Sequence, residues 1–107
     1  VYKTAVSYGY ASTELGVYVQ PIVQGTSCHL EFDLVYNPED MREREKVEKL
    51  YLDLSEGLAS LGAFYSRPYG VWGDIAYRRD AETTALLRKI KRIFDPKDVL
   101  NPGKLCF

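Results

Sequence analysis

Three places in the chain hold side chains whose types and spacing could do chemistry. The first is His29, Glu31 and Asp33. On an extended strand these alternate residues point the same way, roughly 6.5–7 Å apart. That spacing is too long for three ligands on one metal, so a metal site would need a further element. The plain alternative is a solvated sheet face. His29 is the only histidine, which gives this face its interest. The second place is Tyr65-Ser66-Arg67-Pro68-Tyr69-Gly70. An arginine fixed by the following proline and flanked by tyrosines could grip a carboxylate or phenolate, or stabilise developing negative charge. Tyr65 or Tyr69 could give or take a proton there. The alternative is an aromatic loop packed over the fold, with Arg67 at the surface. In the third place, Trp72 and Gly73 could line a planar ligand or simply be core.

Other chemistries lack their motifs. The sequence has no GxGxxG and no GxxxxGK[ST], so no phosphate-cradling loop is present. It has no HExxH and no GxSxG. Cys28 and Cys106 are far apart, without CxxC spacing, and read as inert thiols in a reducing, cytoplasmic setting.

The elements that must position these residues can be read from periodicity. Residues 1–13 have no clear period and read as an irregular lead-in. From Leu15, the positions Leu15, Val17 and Val19 share one strand face, with Tyr18, Gln20 and Ile22 opposite. Pro21 makes that strand an edge or bulges it. After a Gln24-Gly25-Thr26-Ser27 turn, a second strand runs from about Cys28 to Tyr36. Cys28, Leu30, Phe32, Leu34 and Tyr36 fall on one side of it, with His29, Glu31 and Asp33 on the other. The pair reads as an antiparallel hairpin.

Asn37-Pro38-Glu39-Asp40 announces a helix, with Asn37 as cap and Pro38 at the first helical position. Its apolar stripe is Val47, Leu50, Tyr51, Leu54, Leu58 and Leu61, and Gly62 stops it. Ala63–Tyr65 should be extended, and 66–79 a loop. Asp80 caps a second helix, whose core stripe is Leu86, Leu87, Ile90, Ile93 and Phe94. Asp95-Pro96 ends it. The tail reads as two tight turns around Val99-Leu100. The order predicts an α+β fold: a small antiparallel sheet with two main helices packed on one face.

Composition sets the outer bounds. The 107 residues are 46% apolar and 27% charged, which supports a single folded domain over 1–107. With 14 basic against 15 acidic side chains, the net charge of -1 leaves no electrostatic footprint for nucleic acid. No apolar run approaches the ~20 residues of a membrane span. The abrupt start at Val1, with no leader, reads as a piece cut from something longer.

The stretch from Leu87 to Lys104, LRKIKRIFDPKDVLNPGK, resembles the closing segment of FAD-linked oxidases. In that family a helix runs into DP-x-x-(I/V)-(L/I)-(N/A)-PGK. The group includes vanillyl-alcohol oxidase, p-cresol methylhydroxylase, and the D-lactate and glycolate oxidases. The order of strand, long charged helix, Gly62 and arginine loop is similar to the cap, or substrate, domain of the phenol-oxidising branch. There a Tyr-Arg pair faces flavin and phenolate. Arg67 matches the arginine, while Ser66 fills the tyrosine slot and Tyr65 stands one residue away.

The hydroxy-acid branch keeps an H-x-GDGN-x-H metal motif and a later Glu-His-Gly. Here Ile22 or Val23 stands at the first histidine, and Pro68-Tyr69-Gly70 replaces Glu-His-Gly. Only His29 matches, so no metal is expected, and Tyr69 takes the place of that branch's catalytic histidine. The resemblance covers residues 14–107 and implies a ferredoxin-like piece of a cap domain. It further implies FAD in the full-length protein, hydride transfer from a substrate C–H bond, and an N-terminal FAD-binding domain as partner. Arg67, Tyr65, Tyr69 and His29 would face the substrate, a small molecule. Asn101 and Lys104 would meet the flavin rim. The rival reading is a non-catalytic ligand-binding or oligomerisation module, and either reading admits a homo-oligomer.

Overall fold

The computed structural model describes residues 1–104, which excludes Cys106. The elements are α1 (Tyr2–Ser7), a 3₁₀ turn (Ser12–Glu14), β1 (Leu15–Val23), β2 (Ser27–Leu34), α2 (Met41–Ser60), α3 (Val71–Arg78) and α4 (Ala81–Phe94). This is a small α+β domain, and its chain divides into two compact units, Val1–Leu54 and Ser55–Phe107.

In the first unit β1 and β2 form an antiparallel hairpin. Leu15 pairs with Leu34, Val17 with Phe32 and Val19 with Leu30, so these share one face. Gly16, Tyr18 and Gln20 pair with Asp33, Glu31 and His29 on the other. The ladder is irregular between Pro21 and Val23, where proline offers no N–H to a partner. A two-stranded ribbon is marginal alone. Here Leu15, Phe32 and Leu34 pack with Val47, Leu50 and Leu54 of α2. Leu50 is fully buried, and truncating such a leucine to alanine costs about 2–5 kcal/mol.

The lead-in is not irregular. Residues 2–7 form a helix because Ala5 is fully buried in the same cluster, beside Tyr10. Tyr10 anchors the turn by donating its hydroxyl to the Val35 carbonyl at 2.8 Å. The Tyr8 hydroxyl donates to the Asp53 carboxylate, which pushes the phenol pKa up. These contacts link positions far apart in sequence, which a local period does not register.

The start of α2 also differs from expectation. Asp40, not Asn37, caps it, accepting from the Arg42 N–H at 2.8 Å. Asn37 instead closes a turn by accepting from the Glu39 N–H at 3.0 Å. The helix end is as read. Gly62 takes φ 94°, its N–H donates to Ala59 at 3.0 Å, and the Ala63 N–H donates to Leu58 at 3.0 Å. That pair of bonds is a Schellman motif, which needs a residue free to turn left-handed. Leu61 leaves the predicted stripe, being 85% exposed.

In the second unit, Ala63–Tyr65 pairs with no strand among the described residues. The predicted loop over 66–79 contains α3, whose Ile75 and Gly73 are buried. Asp80 caps α4 as expected, accepting from the Thr83 N–H at 2.9 Å and from its hydroxyl at 2.7 Å. Those bonds lower the Asp80 pKa. The predicted core stripe of α4 is not core. Leu86, Ile90, Ile93 and Phe94 are exposed and Leu87 is half-buried. The buried residue is Thr84, which donates to the Tyr77 carbonyl at 2.7 Å. Periodicity marks an apolar stripe but not what covers it.

Candidate functional site

The arginine loop leaves α2 and is fastened back to it at one residue. Ser55, 3% exposed, lies in the part of α2 that belongs to the second unit. Its carbonyl accepts the Tyr65 hydroxyl at 2.7 Å, and its Oγ accepts the Trp72 indole N–H at 2.9 Å. The two rings stack, with centroids 4.9 Å apart and planes 9° from parallel. Tyr65 and Trp72 therefore close the base of the loop that carries Arg67 and Tyr69.

Inside that loop the chain turns tightly. The Tyr69 N–H donates to the Arg67 carbonyl at 2.9 Å across Pro68, and the Trp72 N–H donates to the Tyr69 carbonyl at 3.2 Å. Gly70, at φ 53° and ψ −130°, starts α3 from a conformation that side-chain-bearing residues rarely adopt. Further along, Arg78 pairs with Glu56, and Arg79 donates to the Ala59 carbonyl. Both ends of α3 are thus tied to the last turns of α2. Arg67 and Tyr69 are exposed at the tip, Tyr69 by 61%.

The polar hairpin face belongs to the first unit. His29 Nε2 lies 2.9 Å from Glu31 Oε1, and the Tyr18 ring meets the imidazole edge-on at 6.5 Å. Asp33 sits across from Gly16, and a Cβ there would come 2.9 Å from its carboxylate. The helix-side residues of β2 take the opposite face, which places His29 away from Leu50 and Leu54. Among the described residues no three metal-ligating side chains gather. The same unit has an open groove of about 410 Å³, floored by Phe32, Leu34 and Val47 and walled by Tyr36 and Tyr51.

The tail is organised by a carboxylate that periodicity marks only as a helix stop. Asp95, 6% exposed, accepts from Lys91 Nζ at 2.6 Å and from the N–H groups of Val99 and Leu100, each at 2.9 Å. The Lys91 ammonium, then the two backbone donors, hold its pKa down to about 2. Lys91 also reaches Asp98 at 2.5 Å and the Leu100 carbonyl at 3.3 Å. Its own pKa is raised, first by Asp95 and then by Asp98. This network sets the path into the next turn, where Asn101 takes φ 50° and its carbonyl accepts the Lys104 N–H at 3.3 Å. Both side chains are exposed there.

Neither Ser55 nor the Asp95 network was marked as functional by motif. For Asp95 the available signal was a lysine four residues earlier and two backbone donors just beyond the proline. Ser55 offered none, being one serine within a helix.

The second unit of this small α+β domain carries an exposed arginine–tyrosine tip on a base hydrogen-bonded to Ser55. Across residues 26–105 the sequence matches the family described as FAD linked oxidases, C-terminal domain, and the chain belongs to that family. It is thus the C-terminal domain of an FAD-linked oxidoreductase. No curated protein and no solved structure matches the chain. No helix among the described residues is long and apolar enough to cross a membrane.

Proposed function

We propose that this domain is the substrate-binding part of a flavoenzyme that takes a hydride from a C–H bond of a phenolic or alcohol substrate. The observation that carries the reading is the Arg67–Pro68–Tyr69 tip, exposed and held on a base that α2 fixes. FAD, when bound, supplies the hydride acceptor. The Asn101 amide and the Lys104 ammonium, exposed on one turn, suit the polar rim of its ring system. The sequence carries no Gly-rich phosphate loop, so the pyrophosphate falls to an N-terminal FAD-binding domain, the partner in this reading.

Arg67 binds the substrate's anionic oxygen. Its planar fork can hold a phenolate while charge redistributes toward a quinoid form. Tyr69 moves the proton, because its exposed hydroxyl can donate or accept. Tyr65 has committed its own proton to Ser55, which leaves its oxygen as an acceptor and its ring as a wall. His29, beside Glu31 on the polar hairpin face of the first unit, is a second, separate candidate for meeting substrate. A free, exposed Cys28 suits a reducing, cytoplasmic setting.

The test is anaerobic mixing of the full-length flavoprotein with candidate substrates. A para-alkyl phenol should bleach the flavin's visible absorbance, whereas a 2-hydroxy acid should not. Bleaching by the hydroxy acid alone would reverse the substrate assignment.

A further inference from the structure

We propose that Ser55 is the positioning residue of the Arg67 loop, controlling anion binding at Arg67 without touching the ligand. The inference rests on the reading of Arg67 as the anion-binding residue. Its own support is the geometry at the base of the loop. Ser55 is 3% exposed and presents two acceptors, a backbone carbonyl and a hydroxyl oxygen. One receives the last residue before the loop, Tyr65, at 2.7 Å, and the other receives the first aromatic beyond it, Trp72, at 2.9 Å. The stacked rings lie 4.9 Å apart, so the two ends of the loop meet at this one residue, Tyr65 on its carbonyl and Trp72 on its hydroxyl.

The loop depends on that clasp for its order. Arg67 and Tyr69 are exposed, so burial does little to hold them. Within 65–72 the local restraints are the bond across Pro68, the Trp72 N–H bond and the Gly70 turn. An exposed arginine carries much side-chain and loop entropy, and binding an anion must overcome it. A loop closed at its base has less to lose. Removing the Ser55 hydroxyl leaves a half-buried indole N–H without this acceptor, and the base opens.

Trp72 is the only tryptophan, so its emission and its single indole N–H resonance report on the clasp directly. The experiment uses the 107-residue chain with Ser55→Ala, Ser55→Thr, Trp72→Phe and the Ser55→Ala/Trp72→Phe double variant. Ser55→Ala should raise acrylamide quenching of Trp72 and speed exchange of its indole proton, while Ser55→Thr, which keeps the oxygen, should restore both. With 4-nitrophenolate as probe, followed by the Arg67 side-chain resonances, Ser55→Ala and Trp72→Phe should each weaken binding by about three- to tenfold. The double variant should bind no worse than either single, because both remove one shared bond.

Wild-type quenching in Ser55→Ala would overturn the proposal. So would unchanged affinity despite a loosened indole, or additive losses in the double variant. Absence of probe binding by the wild-type chain would instead remove the role given to Arg67. Quenching and exchange would still decide whether Ser55 holds the loop.

Discussion

Gly73 lies so close beneath Pro68 that a Cβ placed on it would stand 2.7 Å from the Pro68 carbonyl oxygen. That oxygen is backbone, inside the turn that carries Arg67, so it cannot swing aside as a side chain would. The first turn of α3 and the arginine turn are therefore packed backbone to backbone, and glycine is required by contact.

Gly73→Ala should accordingly destabilise the chain. Alanine brings a helix-propensity gain of about 1 kcal/mol, but forcing atoms into a packed contact costs about 1–3 kcal/mol. The balance is a fall in stability, and each kcal/mol moves the melting point of a domain this small by about 4–8 °C. Differential scanning calorimetry of both proteins measures it. A melting point at or above wild type would show that the contact can relax freely.

Asp95 makes a prediction about acid. Its carboxyl, with an ordinary value of 3.8, is held down to about 2 in the folded chain by Lys91, Val99 and Leu100. A group depressed on folding contributes stability that is present above its unfolded pKa and is lost as pH falls through the folded one. The contribution of Asp95 is thus complete above about pH 4 and fades toward about pH 2. Asp95→Asn should melt below wild type at neutral pH, and the gap should narrow through that window. A gap constant between about pH 5 and about pH 2 would mean that the carboxylate does not hold the tail.

The sequence made some of this architecture legible for definite physical reasons. The faces of β1 and β2 were readable because a strand repeats every two residues and the core is apolar. That placed His29 with Glu31 and Asp33 on the side away from Leu50. Asp80, Gly62 and Asp95 marked helix ends because caps and breakers act locally. At the start of α2, Asn37 and Asp40 are both good capping residues, and Asn37 is taken up by the turn to Glu39, which leaves the cap to Asp40. Helix α3 was hidden by Pro68, Gly70 and Gly73, whose density signals a loop when the contact between two of them is unseen. Ser55 was hidden because its partners lie 10 and 17 residues away.

The cofactor gives a simple expectation. In the proposed reading Asn101 and Lys104 meet only the rim of a flavin, and the sequence carries no phosphate-cradling loop. Purified by itself, the 107-residue chain should be colourless, and titration with FAD should give no saturable heat in the micromolar range. A yellow preparation with near-stoichiometric flavin would show that these residues grip the cofactor unaided.

Arg67 carries the sharpest prediction. Its side chain is exposed beyond a loop whose order comes from Ser55, Gly70 and Gly73, so the fold has little need of a guanidinium there. Arg67→Lys keeps the charge and loses the fork that can hold two acceptors at once. Losing a hydrogen bond to a charged partner costs about 1.5–3 kcal/mol. With ~1.4 kcal/mol to a decade of rate, kcat/KM of the full-length flavoprotein should fall by roughly one to two decades. Melting should hardly move, because exposed substitutions usually stay within about 0.5 kcal/mol. Steady-state kinetics beside a melting curve separates the two effects. Unchanged kinetics would take Arg67 out of the substrate site, and a collapse in melting temperature would make it part of the scaffold.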